Sequence, residues 1–328
     1  MIHGVINVYK EQGFTSHDVV AKLRGIVGQK KIGHTGTLDP DAVGVLPVCL
    51  GRATKLCDML TDKDKVYEAV MLLGVETDTQ DTTGQILKSS ETDELTEEQV
   101  RAAVLDFVGD YNQVPPMYSA LKINGKKLYE LAREGKIVER AARRVQIFDI
   151  EILSIALPRV TMKVHCSKGT YIRTLCHDIG QKLGCGACME KLTRTKVSRF
   201  EIKDSLTLAQ IEVLKKEDRL SEILIPIDQM FADYPSIIVS GEAARLAYNG
   251  NGIKDRDVRK DENILDEAYV RVYDDVEDFI GVYQYHEKER EYRIRKMFYI
   301  KEEFRMVHNE IKKLSDDMKK DSVNSRQV

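Results

Sequence analysis

No apolar run in this 328-residue sequence approaches the ~20 residues needed to cross a bilayer. The first residues, Met1-Ile2-His3-Gly4-Val5, lack a basic-then-apolar leader. A cytoplasmic address without membrane association is expected. Cysteine is sparse: six residues, Cys49, Cys57, Cys166, Cys176, Cys185 and Cys188, are scattered through apolar segments. That scatter is unlike a disulfide framework and suits a reducing compartment. Cys185 and Cys188 form a single CxxC, with Cys176 and His177 nearby, and no second pair of comparable spacing accompanies it. Packed free thiols are therefore expected, with no metal. Internal repeats, long low-complexity tracts and a regular βαβ alternation are also missing.

What is present fits a soluble globular chain. Hydrophobic residues make up 42%, enough to exclude wholesale disorder, and the length allows two domains. Net charge is −3, so the whole molecule does not advertise a polyanionic partner, but the distribution is uneven. Residues 76–99 hold eight acids and one lysine, 122–144 eight bases and three acids, and 163–199 eight bases and two acids. Two basic blocks in an otherwise acidic chain suggest a polyanion-binding face; solvated helix faces of mixed charge are the alternative.

Apolar spacing predicts a strand at 4–10 and an amphipathic helix capped by Ser16. A helix is expected from near Thr54 and a buried strand at 66–73, ended by Gly74. A polar connection follows at 76–90, then a helix at 92–107. Residues 122–143 read as a protruding basic arm with a short helical core. Two strands flank Pro158, a helix runs from 170 to 183 and is closed by Gly184, and another spans 206–215. Beyond a boundary near Tyr234-Pro235, strands at 237–239, 269–273, 279–285 and 292–299 describe a small β-rich module. Its sequel from Lys301 is charged, with helical spacing of Phe304, Val307, Ile311 and Leu314, and ends in residues expected to be disordered. The class is α+β, with a mixed or antiparallel sheet.

The densest local signal is Gly33-His34-Thr35-Gly36-Thr37-Leu38-Asp39-Pro40, continued by Gly44-Val45-Leu46-Pro47 and Gly51-Arg52-Ala53-Thr54-Lys55. It places the Asp39 carboxylate in a loop bent by glycines and stiffened by Pro40 and Pro47. So constrained a loop holds a group for binding or chemistry more often than it merely connects. An isolated Asp-Pro would read as a capped turn. Lys65-Val66-Tyr67 puts a phenol on a strand, and Ser167-Lys168-Gly169-Thr170-Tyr171-Ile172-Arg173-Thr174 puts a tyrosine and an arginine at a helix start. Taken singly, Tyr67 would be a core tyrosine and Arg173 a surface cation.

Together, in this order, these segments resemble the bacterial tRNA pseudouridine synthases of the TruB type, over residues 4–200 with a weaker continuation. The resemblance implies a pseudouridine synthase fold at 1–230 with an RNA-gripping insertion at about 120–144. It further implies a PUA-like module at 231–300 and a tail at 301–328. It implies isomerisation of the T-loop uridine conventionally numbered 55, with tRNA as partner. Neither a cofactor nor an obligate protein partner is expected, and the chain is expected to be a monomer. By motif position, Asp39 matches the catalytic aspartate, Arg173 its arginine partner, and Tyr67 the tyrosine that packs on the base and helps remove the C5 proton. His34 matches a residue of base extrusion, Tyr171 and Leu192 match pocket residues, and Lys10 a basic residue near the site. Lys122, Lys126, Lys127, Arg143 and Arg144 are the expected backbone contacts. Attack at C1′, attack at C6 and a glycal route all remain open to Asp39.

Val43 stands where the family usually has threonine, Cys188 where it often has histidine, and Ser198 where it often has glycine. The acidic run 274–278 argues against phosphate contact there. Rival readings are a guide-RNA-dependent dyskerin-type subunit and a non-catalytic tRNA-folding chaperone. A glycosidase would want a second acid, for which Asp41 is the nearest candidate.

Overall fold

The computed structural model describes residues 1–123 and 125–299. The expected tail at 301–328 lies outside the described residues. The chain divides between Leu224 and Ile225 into two compact units.

In the first unit, β1 (Gly4–Lys10) leads into α1 (Ser16–Val27). Thr15, not Ser16, caps this helix: its hydroxyl accepts from the Asp18 N–H while the Asp18 carboxylate accepts from the Thr15 N–H. Ser16 is buried, and its hydroxyl accepts the Leu38 N–H at 2.9 Å, tying the helix start to the glycine-rich loop. After β2 (Ile32–His34), residues expected to continue that loop form β3 (Val43–Leu50), buried at all but its first position. A strand covered on both faces reads as an unbroken apolar run, so alternation does not reveal it. Pro47 thus stiffens a strand, not a loop, and its carbonyl accepts from the Thr35 N–H. A 3₁₀ segment, Gly51–Leu56, and the short α2 (Cys57–Thr61) replace the single helix expected from Thr54.

The strand β4 (Lys65–Leu73) lies where a buried strand was expected but alternates, with Tyr67, Ala69, Met71 and Leu73 inward. The polar connection after it contains a hairpin, β5 (Val75–Thr77) and β6 (Ile86–Ser89). Then follow α3 (Glu97–Leu105), capped by Thr96, and β7 (Gly109–Gln113). The basic arm comprises β8 (Lys122–Ile123), β9 (Lys126–Lys127) and α4 (Leu128–Arg133). The strands around Pro158 are β10 (Arg143–Ala156) and β11 (Arg159–Cys166). Helix α5 (Ile172–Leu183) ends at Gly184, whose φ of 79° suits glycine. Next comes β12 (Ala187–Val197), which the sequence reading did not identify, then β13 (Phe200–Glu201) and α6 (Leu208–Lys216).

The main sheet runs β1-β3-β12-β4-β11-β10-β7, with β2 on β3 and β13 on β12. Only the β3–β12 pairing is parallel, so the sheet is mixed. One core joins α1 and α6 to β1 and β3. A second joins α3 and α5 to β4, β10, β11 and β12, and includes Leu38, Tyr67 and Leu192. This second core covers the sheet face from which Tyr67 and Leu192 project.

The second unit is the small β-rich module expected from its alternating strands. It contains β14 (Ser236–Val239), α7 (Gly241–Tyr248), β15 (Ile253–Lys254), β16 (Val258–Arg259), β17 (Tyr269–Asp274), β18 (Phe279–His286) and β19 (Glu291–Met297). Its sheet order is β15-β19-β18-β17-β14-β16, closed over by the alanine face of α7. No helix among the described residues is long and apolar enough to cross a membrane.

Candidate active site

Asp39 sits on the link between β2 and β3, and two buried polar groups fix that link. Ser16 holds Leu38. Lys10, at the end of β1, is fully buried, and its ammonium donates to the carbonyls of Ala42 (2.5 Å), Pro40 (3.0 Å) and Glu11 (3.2 Å). Burial lowers the Lys10 pKa to about 8, against the opposing pull of the Asp39 and Asp41 carboxylates. Lys10 therefore faces the loop backbone and not solvent. Gly44, the second residue of β3, has φ 108°, and a Cβ there would lie 2.3 Å from the Arg194 carbonyl oxygen. The Asp39 loop can approach β12 this closely only with glycine at that point.

Arg173, in the first turn of α5, reaches Asp39. Its Nε stands 3.0 Å from Asp39 Oδ2, and its Nη2 donates to Oδ1 at 3.4 Å. The Arg173 side chain is only 6% exposed, Asp39 40%. The same guanidinium donates to the carbonyls of Tyr118 (2.8 Å) and Thr79 (3.1 Å), and lies 3.6 Å from Asp81 Oδ2. Burial raises the Asp39 pKa above the ordinary carboxylate value; the Arg173 charge opposes this and the Asp81 charge adds to it.

Asp81 was missed by sequence reasoning, which passed over its stretch as a polar connection. The available signal was the density of Asp, Thr and Gly in Asp78-Thr79-Gln80-Asp81-Thr82-Thr83-Gly84. The Asp81 carboxylate accepts from both hydroxyl and N–H of Thr83 and from the Thr79 hydroxyl. Two backbone bonds, Met189 N–H to Gln80 and Thr82 N–H to Met189, pin the hairpin loop to β12. The loop is thus a built part of the site.

Tyr67 projects from β4, 7% exposed, in one apolar cluster with Leu38, Ala42, Ile172 and Leu192. Burial raises its phenol pKa, and the Arg194 guanidinium opposes that rise. Arg194 faces Tyr67 across the β4–β12 pairing. Sequence analysis counted it only as part of a basic block, because a buried arginine and a surface arginine look alike in a sequence. Tyr171 immediately precedes α5, its backbone N–H and carbonyl both bonded to the buried Gln113 amide. His34 stacks edge-on against His17, centroids 5.2 Å apart, and its Nδ1 accepts the Gly36 N–H. Burial lowers the His34 pKa, so the ring is neutral with its proton on Nε2.

Of the expected backbone contacts, Arg143 is near enough to the cluster for its charge to act on the Tyr171 phenol. Lys122, Lys126, Arg143 and Arg144 are exposed and Lys127 is half-buried. Arg144 is paired with Asp110 at 2.5 Å, Lys126 lies 3.8 Å from Glu134, and the Lys127 ammonium donates to the Tyr129 hydroxyl. A cavity of about 500 Å³ lined by Asp64, Glu68, Lys163 and His165 opens on the other face of the sheet and does not include the Asp39 cluster. All six cysteines are free, and no group of three or more His, Cys, Asp or Glu among the described residues is placed to hold a metal ion.

Residues 24–172 match the model of the TruB family pseudouridylate synthase N-terminal domain, and residues 173–232 that of the tRNA pseudouridylate synthase B C-terminal domain. The tRNA pseudouridine synthase B of Lachnoclostridium phytofermentans is 52% identical over 307 residues, covering 90% of this chain and 100% of that protein. Its counterpart from Clostridium tetani is 46% identical, covering 86% and 96% respectively. Among solved structures, a Cbf5–Nop10–Gar1 complex contains a chain that aligns with a TM-score of 0.68 at 26% identity, over 91% of this chain and 86% of that one.

Proposed function

This chain belongs to the TruB family of pseudouridylate synthases and is an isomerase of that class, and from that premise we propose that it converts the T-loop uridine of tRNA, conventionally numbered 55, to pseudouridine with Asp39 as catalytic carboxylate. The observation that carries this reading is the Asp39–Arg173 ion pair at 3.0 Å, set beside Tyr67 and Leu192.

Uridine and pseudouridine are isomers. The N1–C1′ bond breaks, the uracil turns, C5 bonds to C1′, and the C5 proton leaves. Addition of the carboxylate to sugar or base, and removal of a sugar proton, all need Asp39 ionised. Arg173 opposes the rise that burial imposes on its pKa and fixes both oxygens in one plane. Asp81, the Thr79 carbonyl and the Tyr118 carbonyl hold the guanidinium in turn.

The target base must leave its stack, at a cost of a few kcal/mol. Contact with the Tyr67 ring, flanked by Leu192, offsets ~1–3 kcal/mol of it. Tyr67 then accepts the C5 proton. The neutral His34 ring marks the entrance with His17, and Tyr171 closes the pocket at the start of α5. Lys122, Lys126, Lys127 and Arg143 meet phosphates; Arg144 first has to leave Asp110.

The test is Asp39→Asn on an unmodified tRNA transcript. Tritium release from C5-labelled uridine is expected to vanish while tRNA affinity stays within about threefold. Turnover by this variant at the wild-type rate refutes the assignment. A guide-dependent role has one observation in its favour, the likeness to the Cbf5 chain. The stronger identity to the bacterial synthases speaks for a free-standing enzyme, and activity of the purified chain on bare transcript decides between them.

A further inference from the structure

Arg194 is a second enclosed charge in the first unit, 1% exposed. Its Nε donates to the Val45 carbonyl at 2.7 Å, and its Nη1 lies 3.9 Å from where a Cβ on Gly36 would stand. The side chain thus spans from β12 to β3 and under the Asp39 loop. Nη2 is buried with no hydrogen-bond partner. Among the described residues no carboxylate forms an ion pair with it, and the ionisable group that favours its charge is Tyr67. An unpaired buried charge costs several kcal/mol. The Val45 bond alone gives no reason for that cost, since a neutral donor would serve it.

The geometry points to Arg194 as a positioning residue for Tyr67: its buried positive charge keeps the tyrosine oxygen able to accept the C5 proton. This deepens, and rests on, the role given to Tyr67 above. A neutral phenol cannot take up a proton usefully, so Tyr67 first gives its own proton to solvent hydroxide, which the later protonation of N1 by water replaces; the resulting tyrosinate can accept the C5 proton. Once C5 has bonded to C1′, the C5–H electron pair becomes the C5=C6 bond. The C6=N1 pair moves onto N1, which takes a proton from water. The C5 proton ends on the tyrosinate oxygen, giving the phenol. Enclosure of Tyr67 disfavours the tyrosinate. Of the ionisable groups around the phenol, Cys166 on β11 and Asp39 on its loop also disfavour it, and Arg194 on β12 favours it. Lys65, at the start of β4, is held by the Thr61 and Lys63 carbonyls, and Lys10 by the Asp39 loop. Neither ammonium replaces Arg194 at the phenol.

The experiment measures single-turnover pseudouridine formation on an unmodified tRNA transcript from about pH 6 to 9. The proteins are wild type, Arg194→Met, Arg194→Lys, Tyr67→Phe and the Tyr67→Phe/Arg194→Met double variant. Arg194→Met is expected to slow the step about 100-fold, to leave tRNA affinity within about threefold, and to move the rising limb of the pH profile to higher pH. Arg194→Lys is expected to recover about a tenth of the wild-type rate or more, with the limb back in place. In the Tyr67→Phe background, loss of Arg194 is expected to cost less than about threefold further. Equal slowing by Arg194→Met in both backgrounds, with an unmoved profile, overturns the inference and leaves Arg194 as packing. Wild-type rate in Tyr67→Phe overturns the Tyr67 role itself and this inference with it. Where Arg194→Met lacks a cooperative melting transition, Arg194→Lys alone decides: an unmoved limb supports the charge argument and a displaced limb overturns it.

Discussion

Replacing Arg173 by lysine keeps the charge and removes the fork, and the structure makes the consequence calculable. One planar guanidinium serves four groups: the Asp39 carboxylate, the Asp81 carboxylate, and the carbonyls of Thr79 and Tyr118. A lysine ammonium is one point with three donors and cannot reach all four. At least one buried acceptor loses its partner, costing ~1–3 kcal/mol. Asp39 also loses its two-point hold, so part of the cost falls on the reacting geometry. At about 1.4 kcal/mol per decade, Arg173→Lys should slow single turnover roughly 10- to 100-fold. Arg173→Ala removes the charge as well. Breaking a buried pair costs ~3–5 kcal/mol, so a loss of roughly 100- to 1,000-fold or more is expected. Both variants should bind tRNA within about threefold of wild type, because Arg173 is 6% exposed and lies behind Asp39.

The pH profile separates geometry from charge. Asp39 must be ionised, and its pKa is raised, so the rate falls on acidification at a higher pH than an ordinary aspartate would give. Removing Arg173 removes a lowering influence, and the acid limb of Arg173→Ala should move further up. Single-turnover kinetics with filter binding measure both quantities. A wild-type rate and unshifted limb in Arg173→Lys and Arg173→Ala, or a defect confined to affinity, would refute the reasoning.

Lys10→Met should lower stability by about 2–4 kcal/mol in urea titration, because the carbonyls of Pro40, Ala42 and Glu11 lose a buried donor, and tRNA affinity should change little; a large affinity loss at unchanged stability would instead make it an RNA contact. Gly44→Ala should destabilise by ~3 kcal/mol or more, since its Cβ would lie 2.3 Å from the Arg194 oxygen at φ 108°, and an unshifted thermal midpoint would contradict that packing. Joint replacement of Lys122 and Lys126 by alanine should reduce the slope of log affinity against log salt by about 1–2, measured between about 50 and 200 mM salt, and an unchanged slope would remove the arm from the phosphate contacts.

Local signals were legible where local physics made them so. The glycine stop at Gly184 depends on neighbours within four residues and ends its helix at the expected place, whereas the capping boxes at Thr96 and Thr207 went unread and the helix expected from residue 92 starts at Glu97. Strand β4 alternates because one of its faces is wet. Strands β3 and β12 escaped notice because β3 is covered on both sides and β12 carries charges along a sheet interior. Polar residues 78–84 passed as a connection because nothing nearby in sequence says that Gln80 and Thr82 will bond to Met189.

By itself the sequence determined the family and pointed to three candidate groups, since Asp39, Tyr67 and Arg173 each lie in a short string whose residue order is distinctive. Only the tertiary structure decided what surrounds them. It turned Lys10 inward, brought Asp81 to Arg173, and buried Arg194 opposite Tyr67 with no paired carboxylate among the described residues. The physical reason is range. Side-chain pattern records burial and turns over a few residues, whereas Asp39 and Arg173 meet across 134 positions and Arg194 and Val45 across 149. Such meetings are set by strand order and register, and no local preference encodes them.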